Sequence, residues 1–174
     1  MIMMKALVVY ESMFGNTEQI ARAVADGLGE SVEVQLIEVS DAPLDPDPEL
    51  GLIVVGGPTH AFSMSRTRTR ADAISRGGHK GESAFGLREW LSALPSGPHT
   101  EKIATFDTKV EGMHHLPGSA AKSAAKAARR HGYASAAKAE SFYVDDIDGP
   151  LLEGEVDRAR AWGQQLAASI SAAT

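Results

Sequence analysis

Five consecutive apolar residues, Ala6 to Tyr10, run straight into the polar turn Glu11-Ser12-Met13-Phe14-Gly15-Asn16-Thr17-Glu18, and beyond it apolar residues recur at helical spacing. An uninterrupted apolar run is what a parallel strand covered on both faces requires. Ile20, Ala21, Val24, Ala25 and Leu28 line one face of a helix, with Gly27 and Gly29 available to end it and Asn16 with Gln19 reading as a capping pair at its start. A buried strand feeding a helix through a short polar turn points to an α/β architecture.

The rest of the chain repeats that alternation. Val32, Val34 and Leu36 alternate with polar residues, predicting a half-exposed strand near a sheet edge, and Leu52 to Val55 is another buried run, ending in Gly56-Gly57-Pro58. Pro43, Pro46 and Pro48 argue against a helix between these two strands. Ile103 to Phe106 reads as the fourth strand, Ser119 to Arg130 as an alanine-rich helix and Phe142 to Val144 as the centre of the fifth strand. Val156, Ala159, Gly163, Leu166, Ala167 and Ile170 share one face of a closing helix. The expectation is a single domain over residues 1–174, a three-layer α/β/α sandwich on a five-stranded parallel sheet.

Extra length sits between the third and fourth strands, from about 61 to 101, as two helical pieces around a glycine-rich break at Gly77 to Gly81. Leu87, Trp90, Leu91 and Leu94 have core spacing there, and Trp162 is expected in the core too. The first piece carries Arg66, Arg68, Arg70, Arg76 and Lys80 against Asp72. Its plain reading is a solvated face; its sharper one is a docking surface for an anionic partner or substrate. The acidic run of Asp145, Asp146, Asp148, Glu153, Glu155 and Asp157 reads as charge complementing a helix start.

Composition narrows the chemistry. A chain of 174 residues, 43% hydrophobic and 23% charged, is an ordinary globular one with length enough for a full core. The absence of cysteine removes disulfide frameworks, thiolate metal sites and cysteine nucleophiles. A net charge of -6 argues against a nucleic-acid binder, which needs a basic footprint. The amino-terminal MIMMKALVVY is too short and too soon interrupted for a signal peptide or a membrane span, so no integral membrane segment and a cytoplasmic location are expected.

The turn after the first strand is the place for ligand chemistry. A helix start offers free N–H groups and a positive dipole end, to which Ser12, Asn16 and Thr17 add donors; a phosphate is held there without a cationic side chain, although a plain capped turn has the same ingredients. No Gly-Lys-Ser/Thr nucleotide loop occurs, and Gly27-Leu28-Gly29 follows a helix, not a strand, which excludes a dinucleotide fingerprint. Gly56-Gly57 stands where a phospho-acceptor aspartate would have to be.

With these residues in view, ALVVYESMFGNTEQIARAVADGL and GLIVVGGPTHAF resemble the first strand with its phosphate loop, and the third strand with its flavin-contacting loop, of the flavodoxin family. The resemblance implies the sheet order 2-1-3-4-5, whose switch point lies between the first and third strands. It implies FMN as cofactor, with Ser12, Met13, Phe14, Gly15, Asn16 and Thr17 around its phosphate and Pro58, Thr59, His60 and Phe62 against its ring. The loop from Asp107 to Met113, with Asp107, Thr108, Gly112 and Met113 as contacts, would close the other side.

The chain departs from the family pattern at Phe14, where a Ser or Thr is common, and has only His114 and His115 as ring-bearing residues between Phe106 and Tyr133. Three functions follow from the resemblance. The first is an electron carrier working with redox partner proteins such as a flavodoxin reductase. The second is an FMN-dependent NAD(P)H:quinone or protoporphyrinogen-oxidase-like enzyme, for which His60, His114 or His115 could supply a proton. The third is a flavin-free interaction module using the Arg66 to Arg76 stretch. No metal site is expected from the adjacent pair His114 and His115.

Overall fold

The computed structural model describes residues 3–78 and 84–172, so Lys80 and Gly81 lie outside the described residues. Strands β1 (Lys5–Tyr10), β2 (Glu33–Glu38), β3 (Leu52–His60), β4 (Ser63–Met64), β5 (Lys102–Val110), β6 (Ala134–Ser135) and β7 (Glu140–Val144) form one sheet. Helices α1 (Asn16–Gly29), α2 (Thr67–Ser75), α3 (Leu87–Ser92), α4 (Ala120–Arg130) and α5 (Glu155–Ala172) connect or follow them.

The spatial order is β2-β1-β3-β5, with β6 and β7 both paired in parallel to β5. This is the 2-1-3-4-5 order, with the fifth strand broken into two short pieces and one antiparallel strand, β4, added beside β3. β1 sits between β2 and β3, pairing Ala6 with Val34 and Leu52 and Val9 with Ile37 and Val55.

Alternate residues of each strand feed opposite faces. Ala6, Val8, Leu52, Val54, Phe106 and Phe142 pack beneath α1 and α5, while Leu7, Val9, Ile53, Val55 and Ile103 pack beneath α3 and α4. Runs apolar at every position are thus the signature of strands buried from both sides. Leu87, Trp90, Leu91 and Leu94 are core, and the Trp90 indole N–H donates to the Pro43 carbonyl at 3.0 Å. Trp162 meets Phe106 and Phe142 edge-on, each with ring centroids 6.0 Å away.

Three local expectations are corrected. Gly27 does not end α1: it lies inside the helix, where a Cβ would come within 2.1 Å of the Arg160 carbonyl oxygen, and Gly163 of α5 is equally tight against the Val24 carbonyl at 2.3 Å. These two glycines let α1 and α5 cross with their backbones in contact. The cap of α1 is Gly15, not Asn16, which is the first helical residue. Val156 is 38% exposed and leaves the buried stripe of α5 to Ala159, Leu166, Ala167 and Ile170.

Candidate cofactor site

β1, β3 and β5 end side by side, and the loops that leave them converge at the point where the chain has gone to β2 on one side and to the rest of the sheet on the other. Ligands gather at such a switch point because strand ends and helix starts meet there. Glu11 continues β1, donating its N–H to the Gly56 carbonyl at 2.9 Å.

The turn then closes on itself. The Ser12 hydroxyl accepts from the Gly15 N–H at 3.1 Å and from the Glu18 N–H at 3.3 Å, and Gly15 sits at φ 94°, a left-handed conformation that costs a glycine nothing. Ser12 thus does the capping that the sequence suggested for Asn16. Among the described residues the N–H groups of Asn16 and Thr17 have no protein acceptor, which leaves them for an anion at the positive end of α1. Thr17 is otherwise engaged: its hydroxyl lies 2.7 Å from that of Thr108, a buried pair that ties the turn to the end of β5.

Two adjoining cavities open from this turn. The smaller, about 40 Å³, is lined by Ser12, Met13, Phe14, Asn16 and Thr17 from the turn, Pro58 to His60 from β3, and Thr108 and Val110 from β5. The larger, about 470 Å³, runs on from Thr59, His60, Ala61 and Phe62 to Val110 and Met113, with Ile147 of the loop after β7 across from them. Thr59, His60, Val110 and Ile147 belong to both. A cavity of several hundred Å³, mostly apolar with a few polar groups at fixed positions, is the usual form of a small-molecule site.

The β3–β4 hairpin that carries the ring loop is strained. Thr59 pairs with Met64 and His60 with Ser63, leaving Ala61 and Phe62 as a two-residue turn with φ 49° and 65°. Both values lie in the left-handed region that glycine or asparagine normally fills in such a turn. The conformation presents Phe62, 45% exposed, at the mouth of the larger cavity.

Not every expected residue reaches a cavity. Asp107 is fully buried behind β5, where its carboxylate accepts the Ala121 N–H of α4 at 2.9 Å; burial pushes its carboxyl above the usual range. Gly112 lines neither cavity. His114 and His115 are exposed and stand outside both, His114 donating from Nδ1 to the Glu111 carbonyl at 2.9 Å. Across from that loop the lining is Val110, Met113 and Ile147 together with Lys109 and Asp146, without an aromatic ring. Among the described residues no cluster of His, Asp and Glu is arranged to hold a metal.

The largest departure from the expected picture is α2. Arg70, counted as part of a solvated face, is fully buried. Its Nε donates to the Ser65 hydroxyl at 2.9 Å, its Nη2 donates to both the Ser65 carbonyl and Glu89, and Ser65 in turn donates to Glu11 at 2.5 Å. The second oxygen of Glu11 accepts the Leu87 N–H at 2.7 Å. Burial raises the Glu11 carboxyl above its ordinary value, while the bonds from Ser65 and Leu87 and the charge of Arg70 oppose that rise. The network locks α2 and α3 to the end of β1. It turns Thr69, Asp72, Ala73 and Arg76 into a further wall of the larger cavity. Arg66, Arg68 and Arg76 are exposed, as a solvated face predicts.

His60 is half-buried at the junction of the two cavities, and its Nδ1 lies 3.0 Å from the Thr69 hydroxyl. Burial, with the Arg70 charge adding to it and Asp72 opposing, lowers its pKa to about 4. At neutral pH it is therefore an uncharged imidazole and not a cationic proton donor.

Residues 8–81 match the family model described as flavodoxin. Over this segment, which spans less than half of the chain, the sequence is similar to the flavodoxin family. The family binds flavin. No curated protein matches the chain. Among solved structures it is similar to a flavodoxin from the domain Archaea, at 21% identity and TM-score 0.64 over 97% of this chain and 99% of the other. Flavodoxin 1 from Bacillus cereus is similar at 17% identity and TM-score 0.65, over 98% and 99% of the two chains. A diflavin flavoprotein A3 from Nostoc sp. reaches 14% identity and TM-score 0.55, over 98% and 96%. At these identities the structures establish a common fold.

Val110, Ile147 and the α2 wall have no motif and were missed by sequence reasoning. Glu11, inside the matched turn, carried one signal: a carboxylate between a buried strand and a helix start needs a partner.

Proposed function

We propose that this chain is a flavodoxin-family protein that binds FMN and transfers electrons between redox partner proteins, a flavodoxin reductase among them. The observation that carries the reading is the continuity of a small cavity at the start of α1, where two N–H groups lack a protein acceptor, with a larger, mainly apolar one. A ligand with a phosphate at one end and a flat ring at the other matches that pair. When bound, FMN supplies one- and two-electron chemistry at its ring.

The chain's own residues bind and orient. Ser12, Phe14, Gly15, Asn16 and Thr17 form the turn whose free N–H groups face a phosphate without any lysine or arginine. Pro58, Thr59, His60 and Phe62 would form one side of the ring cleft, with Met113, Val110 and Ile147 as further apolar contacts that would limit water at the ring. His60, the imidazole at the junction of the cavities, is uncharged at pH 7 and so is not a cationic proton donor, which suits electron transfer, where none is obligatory.

The test is the visible absorption spectrum of the purified protein after FMN addition and removal of unbound flavin, followed by reduction with NADPH and a flavodoxin reductase. One FMN per chain, reduced through the reductase, supports the carrier. Bound FMN that no reductase system reduces overturns it, and failure to bind flavin leaves the interaction module.

A second reading, an FMN-dependent NAD(P)H:quinone reductase, is favoured by the extension of the ring cleft to α2, which gives a small acceptor a walled place to dock. Quinone reduction by NAD(P)H at rates no faster than with free FMN would sink it.

A further inference from the structure

α2 touches the site with two faces. Arg70 anchors its buried side through Ser65 and Glu89, and one residue earlier Thr69 meets the cavity and His60. The Thr69 hydroxyl has three neighbours and one proton. It accepts the Arg66 N–H at 2.8 Å, donates to the Arg66 carbonyl at 3.1 Å, and lies 3.0 Å from His60 Nδ1. With its proton on the Arg66 carbonyl, the hydroxyl has a lone pair left for an Nδ1–H of His60. All three contacts are then satisfied together.

The opposite tautomer turns the hydroxyl proton to Nδ1 and places an N–H on Nε2. The Arg66 carbonyl then loses the Thr69 hydroxyl proton and keeps only the Arg70 N–H, and among the described residues the N–H on Nε2 has no protein acceptor. Arg70 and Asp72 are the charged groups that act on the ring, and their effects oppose each other.

We infer that Thr69 is a positioning residue that holds His60 as the Nδ1–H tautomer, so that Nε2 offers the cleft a hydrogen-bond acceptor and selects a ring ligand presenting an N–H there. The inference deepens the FMN reading, on which its ligand arm rests, because an isoalloxazine carries a ring N–H; the tautomer itself is independent of that reading. Specificity at this point then comes from the inserted helix and not from the two loops that carry the family's motifs.

The experiment is the pair of ring ¹⁵N chemical shifts of His60 in the full chain near pH 7, assigned by their loss in His60→Gln, without and with FMN. The expected result is a protonated Nδ1 and a bare Nε2, with the Nε2 signal moving when FMN binds. Thr69→Val should abolish the single tautomer and weaken FMN binding roughly fivefold, and Thr69→Ser should restore both. An Nε2–H tautomer in the unaltered protein overturns the inference, and so does a Thr69→Val variant with unchanged shifts. The expected tautomer, lost in Thr69→Val but with no FMN bound, upholds the positioning role and overturns the FMN reading instead.

Discussion

The two ends of the cleft are built by opposite means. The end at the start of α1, the proposed phosphate end, is one short turn whose parts lie within seven residues, Ser12 to Glu18, closed by bonds from Ser12 and by the conformation of Gly15. The larger cavity, the proposed ring end, is assembled from β3, β5, α2 and the loop after β7, and its α2 wall is held by a buried arginine more than fifty residues from the turn it braces. Local construction tolerates change elsewhere in the chain. Distributed construction fails when any brace is removed.

The sharpest way to break that contrast is Arg70→Met. It should cost about 3–5 kcal/mol, because the buried Glu11 and the partly buried Glu89 lose their cation. Urea unfolding reads the loss, and a cost below about 1 kcal/mol would mean that α2 is not braced through this residue. The same variant should leave binding of inorganic phosphate at the α1 turn much less affected than binding of FMN.

Titration at the ring end comes next. The pKa of His60 is lowered from 6.5 to about 4, so between these values the unfolded chain binds more protons than the folded one. Stability is therefore fully present above pH 6.5 and is lost as pH falls through about 4, by at most about 3 kcal/mol. Glu11 acts with the opposite sign: its raised pKa gives stability that is complete below 4.5 and declines as pH rises through the folded value. His60→Gln should remove the first component and Glu11→Gln the second, both visible in unfolding curves taken from pH 4 to 8.

The link between the ends is the Thr17–Thr108 hydroxyl pair. Either single change to Val should cost about 1–3 kcal/mol by stranding the other hydroxyl, and the double change less than the sum of the two. An additive double-mutant cycle would show that the pair carries no coupling. At the phosphate end, Ser12→Ala should cost only about 1 kcal/mol, the usual size of a lost cap, but should weaken phosphate binding without altering the pH dependence set by His60.

The same division explains what was legible beforehand. Strand runs that are apolar at every position revealed the doubly covered sheet, because burial on both faces leaves no polar positions. The turn at Ser12 to Thr17 was legible because its parts are contiguous. The cap was misassigned to Asn16, since a hydroxyl four residues before the helix interior and a left-handed glycine satisfy the same N–H groups. Gly27 resembled a stop signal, and only the approach of α5 reveals it as a contact. Asp107 was expected at the cleft because the family resemblance places the loop after the fourth strand there, but it lies within β5, and the strand alternation sends its carboxylate to the start of α4.

The sequence by itself determined the α/β class, the core residues and the polar turn from Ser12 to Thr17, which rest on periodicity or on residues adjacent along the chain; the strand order was implied by the family resemblance. Tertiary structure alone decided that Arg70 is buried while Arg66, Arg68 and Arg76 are not, and that His60 answers to Thr69. A charge run carries no mark of which member will meet a carboxylate from β1 or α3. That choice is made by the packing of distant elements, through desolvation that only the folded chain imposes.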